Sequence, residues 1–469
     1  MLTRPLAKPR RAPEHAKLAS MGAYVLILIL ALSTNFNVRL VGSLPLAEFL
    51  VVPLTPILIV LYSRSIFKRG MTVIFVLMGL WLLGQVLTDI YRGTKAVDWM
   101  RGDAAIIFFA MDLACLAALL ERNDRRKVVF LTGIAIGSML SVLLQPPEER
   151  DIWKFGYSYG TMMLVILISC YFFRRRRYMV TGVLFVGLVG ANVVFNYRSP
   201  ILFLLVLAVL VLPVIPERIG PMRLLPRGGS FARVAVLAAM ALGAGTASAA
   251  LIHWATSIGV AGEEAQAKNL VQEQSKQGIL LGGRPEILVS SRAVMDSPIL
   301  GHGSWAKDMK YVEMLNDIQV ENGFQSELED IESKSEDVIP AHSHIMGAWV
   351  WAGVLGAIFW GYIFWLVLKS TVAVSSMRPP LAPIYAWLIV WYIWAIPFSP
   401  FGGPDRIIEA GTIVIMVDLL GSGATRGKGP KWIRQAGWRR IPQNVRLSSA
   451  EKSWRPSSRP PRGLNARNL

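Results

Sequence analysis

The sequence predicts an all-α, polytopic membrane protein with about twelve transmembrane helices and a helical extracytoplasmic cap between the ninth and tenth. Three observations carry this. Hydrophobic residues make up 53% of the 469 positions and charged residues only 17%, a balance that a soluble surface cannot absorb. Apolar windows bounded by charge or by Pro and Gly recur along the chain. One polar stretch, 257–341, interrupts them late in the sequence.

Taken in order, the apolar runs cover 21–33, 44–62, 71–90, 105–120, 128–144, 159–173, 179–195, 200–215, 234–254, 345–368, 383–396 and 407–420. Lys and Arg resist translocation, so their distribution sets orientation. With the N-terminus inside, the inner segments hold 34 of the 49 basic residues. The polar stretch carries 15 acidic and seven basic residues and falls outside. The expected organisation is a basic cytoplasmic N-terminus (1–17), helices one to nine (18–256), a periplasmic loop domain (257–341), helices ten to twelve (342–421) and a basic, disordered cytoplasmic tail (422–469). The basic N-terminus followed by an apolar run shows no small-residue cleavage site and reads as a retained first helix.

The net charge of +18 sits in short loops and in the tail, which points to anionic lipid headgroups and away from nucleic acid. Cys115 and Cys170 fall inside predicted spans, so neither can staple the outer loop. Helical patterning is expected within the polar stretch at 263–276, 285–295 and 305–318.

Three polar features stand out against this background. Gly282, Gly283, Arg284, Pro285 and Glu286 place an arginine at a helix entrance, with Pro285 suited to the first helical position and Leu288 one turn on. Free N–H groups and the helix dipole make this either an anion site or an ordinary cap with a solvated arginine. Arg198 lies in the short connection Asn196–Tyr197–Arg198–Ser199–Pro200 between two apolar runs, on the outer face where basic residues are disfavoured. It is either held there for a purpose or snorkels to headgroups. His342 and Ser343 stand nine residues before Gly353, with Gly356 following. On one continuous helix, Gly353 and Gly356 would share the face of His342 and lie deeper, packing against a neighbour below it. A neutral imidazole at a helix start can accept a proton or serve as an interfacial hydrogen-bonding group.

These residues together resemble the O-antigen ligase and polymerase superfamily. The family pattern is His, then Asn, Ser or Gln, nine residues, Gly, two residues and Gly, Thr or Tyr, which His342, Ser343, Gly353 and Gly356 fit. Arg284 with Leu288 fits the family's arginine, three residues, leucine motif, and Arg198 resembles its outer arginine. Pro298, Ile299, Leu300, Gly301, His302 and Gly303 are similar to a family segment of Pro, two apolar residues, Gly, any residue and Gly. A second histidine, His344, departs from the pattern.

The resemblance implies an integral-membrane glycosyltransferase of the bacterial inner membrane with both termini cytoplasmic. It would transfer a glycan from an undecaprenyl-diphosphate-linked donor to a sugar hydroxyl, a lipid A core sugar for a ligase or another carrier-linked glycan for an O-antigen or exopolysaccharide polymerase. Arg198 and Arg284 would grip the diphosphate and His342 would accept the hydroxyl proton. No metal, nucleotide or other cofactor is expected. A lipid-linked glycan flippase or secondary carrier is the competing class. The mid-span acids are few, mainly Asp112 and Asp418, and no internal repeat is evident, which weighs against a carrier; pairing of Asp112 with a neighbouring helix is expected.

Overall fold

The structure, a computed structural model, describes residues 14–40, 42–120, 122–146, 151–212, 230–259, 284–322, 337–403 and 405–427. The expected helical patch at 263–276, the pair Gly282–Gly283 and the tail beyond 427 lie outside the described residues.

Each apolar run overlaps helix among the described residues. The elements are α1 (Glu14–Ser33), α2 (Leu46–Ile66), α3 (Arg69–Arg92), α4 (Ala96–Leu120), α5 (Asp124–Leu144), α6 (Ser158–Arg174), α7 (Tyr178–Val194), α8 (Arg198–Val211) and α9 (Ser230–Ser257). They continue as α10 (Glu286–Asp296), α11 (Met309–Glu321), α12 (His344–Ala352), α13 (Val354–Met377), α14 (Ala382–Phe398) and α15 (Asp405–Gly427). Among the described residues, six helical segments are long and apolar enough to cross a membrane: α2, α3 from Gly70, α4, α5, the stretch Trp153–Arg174 that ends in α6, and α13. Shorter apolar helices include α7, α8 and α14.

Local chemistry explains several boundaries. Asn123 caps α5, its side chain accepting from the backbone N–H of Arg125 at 3.0 Å and of Arg126 at 3.3 Å. α3 stops at Gly93, which adopts the left-handed conformation (φ 62°). α4 starts nine residues before the apolar run because Asp98, in its first turn, complements the helix dipole and lies 3.8 Å from Arg101.

Two features differ from the sequence reading. Asn37–Leu40 and Gly42–Pro45 form a two-stranded antiparallel hairpin, β1 and β2, in register Asn37 to Pro45, so the fold is helical but not purely α. The tenth apolar run is not one helix. Gly353, with φ 68° and ψ −157°, separates α12 from α13. This is backbone that only glycine adopts without strain.

A continuous apolar core joins faces of α1 through α8 with α12 to α15. A smaller cluster of Val289, Ala293, Tyr311, Ile339 and Val350 packs α10 and α11 onto α12. The two cysteines are free and buried within helices. At the opposite end of α5 from Leu144, the buried Lys127 ammonium lies 3.2 Å from Asp418 of α15, and Tyr385 donates to Asp124 at 3.0 Å.

Candidate functional site

The break at Gly353 reverses the geometry expected around His342. On a straight helix Ala348 and Gly356 would be ~12 Å apart. Instead, a Cβ built on Gly356 would collide with the Ala348 carbonyl oxygen and come within 3.1 Å of its Cβ. α12 therefore folds back along α13, with Gly353 at the apex. His344 confirms the direction, since its ring lies 4.6 Å from that of Trp360, seven residues beyond Gly353 on α13. The expectation that Gly353 and Gly356 lie beneath His342 on one helical face is thus corrected. They shape a helical hairpin whose far limb begins just after His342.

The apex is clasped by the Pro298–Gly303 segment. Val354 N donates to Ile299 O at 3.1 Å, His302 N to Val350 O at 2.6 Å and Gly303 N to Trp351 O at 3.2 Å. A Cβ on Gly353 would overlap the Ile299 carbonyl, so the close approach requires glycine there. From the other side, the C-terminal end of α3 grips the same segment. Arg92 donates to Gly301 O at 2.8 and 3.1 Å, Thr88 bonds Leu300 O, and Asp89 accepts from Ser304 N and Oγ, both at 2.6 Å. The motif read as a family signature thus joins α10, whose entrance holds Arg284, to α12, which follows His342.

His342 itself is exposed and precedes the cap residue Ser343. Ser343 Oγ accepts from Met346 N at 3.1 Å and donates to Ile396 O at 2.9 Å, which fixes the start of α12 against the end of α14. His344 is buried. Its Nδ1 is 2.6 Å from Ser399 O and its Nε2 2.5 Å from Glu409 Oε1. A carbonyl only accepts, so Nδ1 carries hydrogen and both ring nitrogens are engaged. His344 is a tie between helices, while His342 presents the available imidazole.

Arg198 is the first residue of α8, and its Nε donates to Asn196 Oδ1 at 3.2 Å. The turn before it is tight. Asn196 takes a left-handed φ of 47°, and Tyr197 N donates to Asn192 O at 2.8 Å. Tyr197 adjoins Arg198 in the chain and feels the charge of the Arg284 guanidinium. Burial holds its hydroxyl above the ordinary phenol range, opposed by a hydrogen bond to Ser199 and by the Arg284 charge. A shallow cleft opens beside this turn, lined in part by Asn196, Arg198 and Thr256.

Ser343, next to His342, is tied to α14, which also packs against α8. Phe203 of α8 packs against Trp391 at 5.7 Å and Trp394 at 5.6 Å, just before Ile396, which receives Ser343. The starts of α8 and α12 therefore share one end of α14. Among the described residues, no hydrogen bond or ion pair joins His342 to either arginine, and no group of three His, Cys, Asp or Glu side chains could hold a metal ion.

The sequence reading missed a buried charge network next to His344. Arg406 makes a forked pair with Glu48, Nε to Oε1 at 2.8 Å and Nη2 to Oε2 at 2.9 Å. Asp112 is fully buried, and neither carboxylate oxygen has a hydrogen-bond partner, which corrects its expected pairing. Glu48 and Arg406 are the charges acting on it most strongly. The available signal was the presence of Glu48, Arg406 and Glu409 within or beside apolar runs, where ionisable residues are expensive.

Fold and sequence together define an α-helical, multi-pass membrane protein. Compared with protein-family models, with curated proteins and with solved structures, the chain matches none.

Proposed function

We propose that the protein transfers a glycan from a lipid diphosphate to a sugar hydroxyl. The observations that support this reading are Arg198 at the start of α8, next to a Tyr197 that feels the Arg284 charge, and the exposed His342 just before α12. Two fixed guanidinium groups suit a diphosphate, whose negative charge grows as the glycosidic bond breaks. The hydroxyl oxygen of the acceptor forms the new bond to the anomeric carbon. The diphosphate leaves with the electron pair of the old bond, and the hydroxyl proton passes to His342.

Under this reading the helices make twelve spans with both termini cytoplasmic in a bacterial inner membrane. α10 and α11 belong to a periplasmic cap. The donor is undecaprenyl-diphosphate-linked glycan, and the acceptor is a lipid A core sugar for ligation or a second carrier-linked glycan for polymerisation. The test uses a strain lacking the gene, complemented by wild type, His342→Ala, Arg284→Ala or Arg198→Ala, with surface glycan resolved on gels. Wild-type glycan from all three variants at normal protein levels overturns the mechanism.

One observation favours a second reading, an ion-coupled transporter. Two buried pairs, Glu48–Arg406 and His344–Glu409, and the buried Asp112 place ionisable groups inside the bundle, a feature of ion and proton pathways. Purified protein incubated with lipid-linked glycan and acceptor, without ATP or metal, separates the two. New glycosidic product supports transfer, and movement of glycan across a vesicle without product supports transport.

A further inference from the structure

Four consecutive arginines, Arg174 to Arg177, run from the last residue of α6 through the turn before α7. All four are exposed, and among the described residues none pairs with a carboxylate. This sets them apart from Lys127, which pairs with Asp418, and from Arg126, which donates to Leu119 O at 2.9 Å.

The turn cannot relax its charge by unwinding. Arg176 N donates to Phe173 O and Arg177 N to Phe172 O, both at 2.9 Å, and Arg176 is held at a φ of 59° that non-glycine residues seldom adopt. Arg175 lies over the Tyr171 ring at 4.4 Å, an arrangement that keeps the guanidinium at the edge of the apolar helix. Four fixed like charges in one turn are offset best by a dense anion.

The apolar surface beside the turn decides what kind of anion. Met179, Val183 and Val186 follow at spacings of four and three on α7 and are 88%, 71% and 71% exposed. Gly187 and Gly190 continue the exposed face, with nothing within 4 Å of a Cβ built on either. The result is a shallow apolar track leading from the guanidinium cluster along the helix. Charge at one end and an open hydrocarbon-facing track below it match an amphiphile better than a free phosphate.

We propose that the Arg174–Arg177 turn and the Met179–Val183–Val186 face bind an anionic phospholipid, its phosphate on the guanidinium groups and an acyl chain along the track. This site is independent of the glycan-transfer reading, because it rests on no residue used there.

The test is native mass spectrometry of the full chain in neutral detergent, titrated with phosphatidylglycerol or with phosphatidylcholine of the same acyl chains. Wild type is expected to hold phosphatidylglycerol more tightly than phosphatidylcholine. The variant R174Q/R175Q/R176Q/R177Q is expected to bind it at least about tenfold more weakly, given the contribution of each basic residue to anionic lipid binding. Should that variant fail to insert, R175Q/R176Q retains two arginines for topology and is read in its place. Unchanged lipid binding in the variant overturns the proposal. So does an equal loss in R64Q/R125Q, which would mark a general charge effect. Displacement of the lipid by equimolar glycerol phosphate also overturns it, by assigning the site to a soluble phosphate.

Discussion

His344 Nε2 lies 2.5 Å from Glu409 Oε1, joining the first residue of α12 to α15. Both side chains are buried, with exposures of 1% and 6%. Removing one member of such a pair strands the other without its partner, at a cost of ~3–5 kcal/mol. His344→Ala is therefore expected to lower the apparent melting temperature of the purified protein well below that of His342→Ala, which removes an exposed ring. Glu409→Gln keeps a hydrogen-bonding group and should cost less. Equal melting temperatures for His344→Ala and His342→Ala would contradict the tie.

Gly353→Ala tests the apex of the hairpin. Alanine at φ 68°, ψ −157° costs ~1–3 kcal/mol in backbone strain, and its methyl overlaps Ile299. Relief requires the clasp to open, which moves α10 away from α12. The expected outcome is faster amide exchange across 298–304 together with lower thermal stability. Gly361→Ala serves as the comparison, because a Cβ there meets nothing within 4 Å, and it should change neither quantity.

How much of this was legible in sequence follows from what each residue depends on. Helices declared themselves because a long apolar run has few ways to satisfy its backbone away from water. Arg284 was correctly placed at a helix entrance because Pro285 and Glu286 are local signals, and α10 begins at Glu286. The break at Gly353 was hidden, since a glycine in an apolar run reads equally as helix packing, and only the Ile299 carbonyl opposite it reveals the difference. Glu48 and Arg406 are 358 positions apart, so no local pattern could reveal their pairing. The spacing to Gly353 and Gly356 favoured His342 over His344 but could not show what His344 does. Their division of labour depends on Ser399 and Glu409, which the fold supplies.

Asp296 makes stability of the α10–α11 pair depend on pH. Its Oδ2 accepts from Lys310 Nζ and from Tyr311 OH, both at 2.8 Å, and Arg292 Nε lies 3.3 Å from Oδ1. These hydrogen bonds, with the Arg292 and Lys310 charges, hold its carboxyl below the ordinary aspartate value of 3.8. Its folded form therefore binds protons less readily than its unfolded form. The stabilisation is complete above 3.8 and is lost as pH falls through that value towards the lower folded one. Amide exchange over 286–296 should be slower in wild type than in Asp296→Asn at pH ~6, with the difference shrinking by pH ~3. A difference that persists or grows on acidification would reverse the assigned sign.

The proposed chemistry predicts different kinetic signatures for the arginines and the histidine. Guanidinium groups that hold a diphosphate as it gains charge act mainly in the transition state, so Arg284→Ala and Arg198→Ala should each reduce kcat by ~10²-fold or more. Lysine keeps the charge but loses the fork, so Arg284→Lys should recover only part of that loss. His342→Ala should cost ~10²–10⁴-fold in kcat, with the donor KM little changed, because the imidazole contacts the acceptor hydroxyl and not the carrier. His344→Ala separates position from chemistry. Any activity it loses should track its loss of folded protein, since both of its ring nitrogens face the interior. Turnover with purified lipid-linked glycan, normalised to folded protein, measures all five. A large kcat defect in His344→Ala with a wild-type rate in His342→Ala would exchange the roles of the two histidines.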